Sequence, residues 1–182
     1  MMQPQDTNEL IVLIGENNHD ITGTAEKYEA HKKGLKHRAF SVFIMNSKGE
    51  MLLQQRAFEK YHSGGCWSNA CCSHPRPHEM SNITKAAQRR LGDELGISQP
   101  LQLLDKGTIC YNLPVTPGDL IEHEVTTVFT CTYDGEIKPN PLEVANIQWV
   151  NLETFAQNYK RNPNIFSLWL GYVFKQAYGI TL

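Results

Sequence analysis

What this 182-residue chain lacks already narrows its class. No apolar run approaches the ~20 residues that a membrane-spanning helix requires, so no membrane partner is expected. There is no internal repeat, no low-complexity segment and no Gly/Ser linker, and a single domain over residues 1–182 is expected. A formal charge of −2 lacks the cationic surplus that draws proteins to nucleic acid, so none is expected as a partner. The opening Met-Met-Gln-Pro-Gln-Asp-Thr-Asn carries neither the basic nor the apolar stretch of a leader, and residues 1–8 are expected to be loose. Five cysteines, an odd number, speak against a disulfide framework. Free thiols without a leader point to a reducing, cytoplasmic setting, and a monomer is the expected state.

What is present reads as strands mixed with a few helices. Residues 10–14 form a short apolar run ending in turn-prone Gly-Glu-Asn-Asn-His-Asp. Thr24 is expected to cap a short helix through 26–31, which Gly34 stops. Runs 39–45 and 50–55 around Asn46-Ser-Lys-Gly49 read as a hairpin. An irregular, partly basic loop over 57–65 leads into a strand over 67–72, and Pro75 and Pro77 then break regular structure. Asn82 caps a helix with Ile83, Ala86, Ala87, Leu91 and Leu95 along one stripe and Gly96 at its end. Further strands are expected over 101–113, 121–133 and 146–150, and a helical tail over 166–178. Without regular βαβ alternation this is an α+β domain around a mixed sheet.

The segment Trp67-Ser-Asn-Ala-Cys-Cys-Ser-His74 carries the most chemistry. Residues i and i+2 of a strand share a side, so Cys72 and His74 project into one space. An isolated Cys-x-His is more often a buried thiol beside a satisfied imidazole. Other ligand-type residues shift that balance. In Glu122-His123-Glu124 the two carboxylates share a strand face, where they repel unless a proton or cation lies between them. His31 and His37 flank Gly34, so one ends a helix while the other opens a strand. The sum of His31, His37, His74, Glu122 and Glu124 suits Mn²⁺ or Zn²⁺ better than Ca²⁺, which prefers oxygen alone. Lys27, Arg56, Lys60, Arg89 and Arg90 are available as a phosphate cradle, although each alone is more often a solvated side chain.

The helix end Arg89-Arg90-Leu-Gly-Asp93-Glu94-Leu-Gly96-Ile97 resembles the last half of the Nudix box, whose carboxylates hold Mg²⁺ against a diphosphate. Here Arg90 stands where that box has its first Glu. Taken with Thr22-Gly-Thr-Ala-Glu-Lys-Tyr28, His37-Arg-Ala-Phe-Ser41, Cys72-Ser-His-Pro75, Glu122-His-Glu124 and Trp169, all in family order, the chain resembles the type 1 isopentenyl-diphosphate isomerases. The resemblance implies a Nudix-like mixed sheet flanked by helices and the interconversion of isopentenyl and dimethylallyl diphosphate through a carbocation. It further implies Cys72 and Glu124 as catalytic residues, with Tyr111 as helper after a one-residue shift. His31, His37, His74, Glu122 and Glu124 would bind Mn²⁺, Zn²⁺ or Mg²⁺. Glu94 and the carbonyl of Cys72 would hold Mg²⁺ on the substrate. Lys27, Arg56, Lys60 and Arg90 would contact the diphosphate. Trp169, with Trp67 as a second candidate, would offer an aromatic face to the cation. The His31-to-His37 spacing is one residue shorter than in a bacterial form of the family.

Two other readings compete. A Nudix hydrolase would use Glu94 and leave Cys72 incidental. A non-enzymatic module would hold a structural zinc with Cys66, Cys71, Cys72 and His74.

Overall fold

The structure, a computed structural model, describes residues 9–115 and 118–182, so the expectation for residues 1–8 lies outside it. Among the described residues the strands are β1 (Leu10–Ile14), β2 (Ile21–Glu26), β3 (His37–Met45), β4 (Glu50–Arg56), β5 (Trp67–Asn69), β6 (Cys71–Ser73), β7 (Leu104–Val115), β8 (Leu120–Thr132) and β9 (Val144–Asn151). They join in one sheet. Four α-helices accompany it: α1 (Lys27–Lys33), α2 (Ile83–Leu95), α3 (Leu152–Arg161) and α4 (Leu170–Tyr178). The architecture is α+β, as its sequence pattern predicts.

Strand β3 is the axis of the sheet. It is apolar at most positions, as a strand covered on both faces must be. It runs parallel to β8 and antiparallel to β1, β4 and β6. Its alternation sends Phe40, Val42 and Ile44 to one face and Phe43 and Met45 to the other. On the first face α2 lays Ala86, Ala87, Leu91 and Leu95 against Phe40, Val42 and Ile44. A Leu91→Ala change there would cost about 2–5 kcal/mol. On the second face α4 packs Leu170, Val173, Phe174 and Ala177 against Phe43, Met51 and Val128.

The helix ends follow the sequence signals where a cap exists. The Asn82 side chain accepts from the Lys85 N–H, and Gly96 closes α2 with φ of 70°. Gly34 closes α1 with φ of 62°, and a Cβ there would lie 2.9 Å from Ile121 Cδ1. Only glycine meets both demands.

Three expectations are corrected. Thr24 does not cap a helix: it lies within β2, paired with Val12 of β1, and α1 begins at Lys27 after Glu26. The ladder with β1 satisfies the backbone that a cap would otherwise serve. The single strand over 67–72 is two strands interrupted at Ala70, with β5 on β4 and β6 on β3. The Asn69 amide donates to the carbonyls of Val42 and Cys71, which supplies partners at the break. The tail helix starts at Leu170, because Phe166 bridges to Trp67 in extended form. Helix α3 was not expected at all; Asn151 caps it by accepting from the Thr154 N–H.

Candidate active site

Register assembles the site. His37 opens β3 and stands opposite Glu124 of β8 in the parallel ladder. Glu124 in turn stands opposite Tyr111 of β7. Neighbours across a sheet share a face, so imidazole, carboxylate and phenol form one row. Ser41 of β3 faces Cys72 of β6, which brings the thiol to the same surface. His31 reaches the row from the last turn of α1, and His74 lies one residue past β6. Glu122 shares the inward side with Glu124, while His123 turns away and its Nδ1–H donates to the Gly34 carbonyl.

The histidines are arranged as ligands. Nδ1–H of His31 donates to the Lys27 carbonyl at 2.7 Å, and Nδ1–H of His37 to the Leu35 carbonyl at 2.7 Å. Each is fully buried with Nε2 left without a hydrogen-bond partner. A buried ring nitrogen held open in this way is costly unless a cation takes its lone pair. His74 Nε2 lies 3.0 Å and His37 Nε2 3.6 Å from Glu124 Oε1, and His31 Nε2 lies 3.6 Å from Glu122 Oε2. Two sets have ligand atoms mutually within 4.8 Å: His31, His37, His74 and Glu124, and then His31, His62 and Glu122. The residues fit a divalent ion of borderline softness, with imidazole and carboxylate donors.

Charge is uneven across the carboxylate pair. Burial pushes Glu124 up, but its hydrogen bonds with the His37 and His74 imidazoles prevail and hold it well below the usual carboxylate range. Burial and the neighbouring Glu124 raise Glu122. Burial depresses His74 to about 3, so its imidazole is neutral. Glu124 Oε2 also accepts from Tyr111 Oη at 2.5 Å and from Thr126 Oγ1 at 3.0 Å.

The sulfur of Cys72 lies among donors and acceptors. Burial raises its thiol to about 11, against the opposing effect of its hydrogen bonds with Ser41 and Trp169. Trp169 Nε1–H donates to Sγ at 3.1 Å, Sγ donates to Asn69 Oδ1 at 2.9 Å, and Ser41 Oγ lies 3.2 Å away. Cys71 faces the opposite side of the sheet, in the α2 cluster, with Sγ 3.4 Å from Glu94 Oε1.

Cys72, His74, Glu122, Glu124 and Trp169 line one pocket with Lys27, Arg56, Lys60, Arg90 and Glu94. Trp67 is not among the lining residues and packs in the α4 cluster. Arg90 ion-pairs with Glu94 at 2.7 Å and with Glu143 at 3.3 Å. Lys60 ion-pairs with Glu143, and Lys27 lies 4.0 Å from Glu9. The Arg56 guanidinium lies 5.3 Å from the Trp169 ring centroid, and its buried Nε has no hydrogen-bond partner. Such a donor suits an anion. Arg89 points elsewhere, to Glu79 and Asp93.

The sequence reading missed Glu143, Gln54 and His62 in this pocket. Gln54 Nε2–H donates to Glu94 Oε2 at 3.1 Å, and its strand alternation alone does not mark it. Among the described residues, neither close ligand set contains a cysteine. The structural-zinc reading with Cys66, Cys71, Cys72 and His74 is therefore overturned, since Cys71 and Cys72 lie on opposite faces.

The NUDIX domain model matches residues 35–169. The chain is 43% identical over 162 residues to the isopentenyl-diphosphate Delta-isomerase of Serratia proteamaculans, covering 89% of this chain and 87% of that one. It belongs to the isopentenyl-diphosphate Delta-isomerases of the NUDIX domain family. The isopentenyl-diphosphate Delta-isomerase of Burkholderia multivorans is 40% identical over 169 residues, 93% of each chain. In fold the chain is similar to DR0079 of Deinococcus radiodurans, with a TM-score of 0.67, 16% identity and coverage of 84% and 90%. A MutT protein of Methanosarcina mazei matches with a TM-score of 0.55, 20% identity and coverage of 71% and 96%.

Proposed function

We propose that the protein interconverts isopentenyl and dimethylallyl diphosphate, with Cys72 and Glu124 as the proton-transfer groups. The observation that carries this reading is a protonated thiol and an ionised carboxylate lining one pocket beside an indole. Moving the double bond requires one proton added at the terminal carbon and one removed from the neighbouring methylene. The Cys72 thiol is the donor in the free protein, and Glu124 is the acceptor. After one forward turnover a thiolate and a carboxylic acid remain, and proton exchange with water restores the pair. Tyr111 hydrogen-bonds the Glu124 oxygen and orients it.

The tertiary cation between the two steps must be kept from water and steadied by an aromatic face. Trp169, buried at the pocket wall, supplies a cation–π attraction of about 2 kcal/mol in a dry site. Arg56, Lys60, Lys27 and Arg90 bind the diphosphate, and this remote binding energy holds the alkene between the two proton-transfer groups. The same lining carries Glu94, Glu122, Glu124 and Glu143, so basic side chains alone do not outweigh the acidic ones. Bound divalent ions would supply the missing positive charge and favour the ionised Glu124 carboxyl. His31, His37, His74, Glu122 and Glu124 would hold Mn²⁺, Zn²⁺ or Mg²⁺. Glu94, which pairs with Arg90 here, and the Cys72 carbonyl would hold Mg²⁺ on the substrate diphosphate.

The pocket, partly open to solvent, has about 40 Å³ of interior room, enough for water but too small for a five-carbon diphosphate. Entry therefore requires lining side chains to shift, and the 57–66 segment supplies three of them, Lys60, Tyr61 and His62. The test is incubation with isopentenyl diphosphate and Mg²⁺ in deuterated water. Deuterium in dimethylallyl diphosphate is expected; release of phosphate or pyrophosphate without isomerisation would favour the hydrolase reading instead.

A further inference from the structure

The ligand set that the resemblance implies contains three imidazoles. The structure brings a fourth to the same place. His62 lies in the irregular 57–66 segment, yet it is 9% exposed, and its Nε2 sits 3.2 Å from Glu122 Oε1. The other oxygen of that carboxylate faces His31 Nε2 at 3.6 Å. Glu122 is thus clasped between two imidazoles, one from α1 and one from the loop. A separation near 3 Å between two donor atoms is what neighbouring ligands of one ion show when each bond is about 2.1 Å.

We propose that His62 is a metal ligand, holding a divalent cation together with His31 and Glu122. Three further observations agree. The ligand atoms of His31, His62 and Glu122 lie mutually within 4.8 Å, and all three residues are buried. The His62 ring is fixed on three sides, stacked on His31 at 5.4 Å and set edge-on to Tyr61 at 4.5 Å and Trp169 at 5.9 Å. Its Nδ1 faces Ser63 Oγ at 3.4 Å, which leaves Nε2 as the inward-facing nitrogen.

This inference rests on the metal centre of the proposed function and adds a consequence to it. The segment that carries His62 also carries Lys60, and Arg56 immediately precedes it. Metal binding would then fasten a segment that lines the substrate pocket. His31 is common to both close ligand sets and has one open nitrogen, so His62 would join the ion that His31 holds.

The test uses Co²⁺ alone with the metal-stripped full chain, in the absence of any prenyl diphosphate. Each coordinated histidine contributes one strongly shifted, exchangeable imidazole N–H signal in the proton NMR spectrum, assigned by histidine ¹⁵N labelling. The wild type is expected to show four such signals, and His62→Gln three, with Co²⁺ affinity lowered about 10- to 100-fold. Affinity alone would not separate a ligand from an outer hydrogen-bonding partner, whereas the signal count does. Three signals in the wild type would overturn the proposal, and that count needs no variant to fold. Binding of Co²⁺ with unchanged affinity in His62→Gln would also overturn it. Absence of Co²⁺ binding by the wild type would instead remove the centre itself, and His62's place in it along with it.

Discussion

Trp169 donates its indole N–H to the sulfur of Cys72 at 3.1 Å, joining the start of the last helix to the sixth strand. The contact gives Trp169 two separable duties, one through its N–H and one through its ring. Trp169→Phe keeps an aromatic face and loses the donor; kcat is expected to fall about fivefold, the worth of one net hydrogen bond of about 1 kcal/mol. Trp169→Ala also loses the ring, and a further ~30-fold is expected from about 2 kcal/mol of cation–π attraction. Steady-state kinetics of both variants check this. Equal losses in the two would show that the ring contributes nothing.

Cys72→Ala and Glu124→Gln each remove one proton-transfer group. Loss of kcat by at least about 10²–10⁴-fold is expected, with deuterium incorporation lost in parallel. The fold survives in Cys72→Ala, because the apolar clusters under α2 and α4 do not depend on the sulfur. Wild-type kcat in Cys72→Ala would sink the proton chemistry.

The thiol makes a pH prediction. Its value is raised by burial from 9.0 to about 11, so Cys72 is neutral in the folded protein throughout the physiological range. Alkylation of Cys72 by iodoacetamide, followed by peptide mass spectrometry, should accelerate with pH up to about 11. The linkage has a definite sign. The folded state holds this proton more tightly than the unfolded chain, so the thiol's stabilising contribution is complete below pH 9 and is lost as pH rises to about 11.

Stripping the divalent ion should abolish turnover and leave the secondary structure. An ion present at a hundred times its Kd stabilises the folded state by about 2.7 kcal/mol, or about 5–10 °C in Tm for a chain of this size. Thermal melts followed by circular dichroism, with and without chelator, measure the difference. Wholesale loss of strand and helix signal on chelation would contradict a fold built on two apolar clusters.

The residues legible in the sequence were those whose period or punctuation places them. Alternation put Glu122 and Glu124 on one side and turned His123 away; Gly34 separated His31 from His37; Asn82 and Gly96 bounded α2. Cys72 and His74 share a side in spite of the break at Ala70, because that break precedes both. His62 and Glu143 sit outside the strands and helices and have no period to read; their place is set by which segment closes over the pocket. Thr24 misled because a good capping residue in a β-branched stretch also suits a strand once β1 offers its edge. Tyr111 needed the β7–β8 register, which a sequence shift of one residue obscures.

The pairing of His37 with Glu124 ties chemistry to folding order. Because β3 and β8 run parallel, they cannot be joined by a hairpin, and their alignment waits on a large loop closing. During refolding, the capacity to hold a metal ion therefore emerges only after this long-range match is made, while the β3–β4 and β7–β8 hairpins form earlier without it. A metal-sensitive dye would report that late step as it happens.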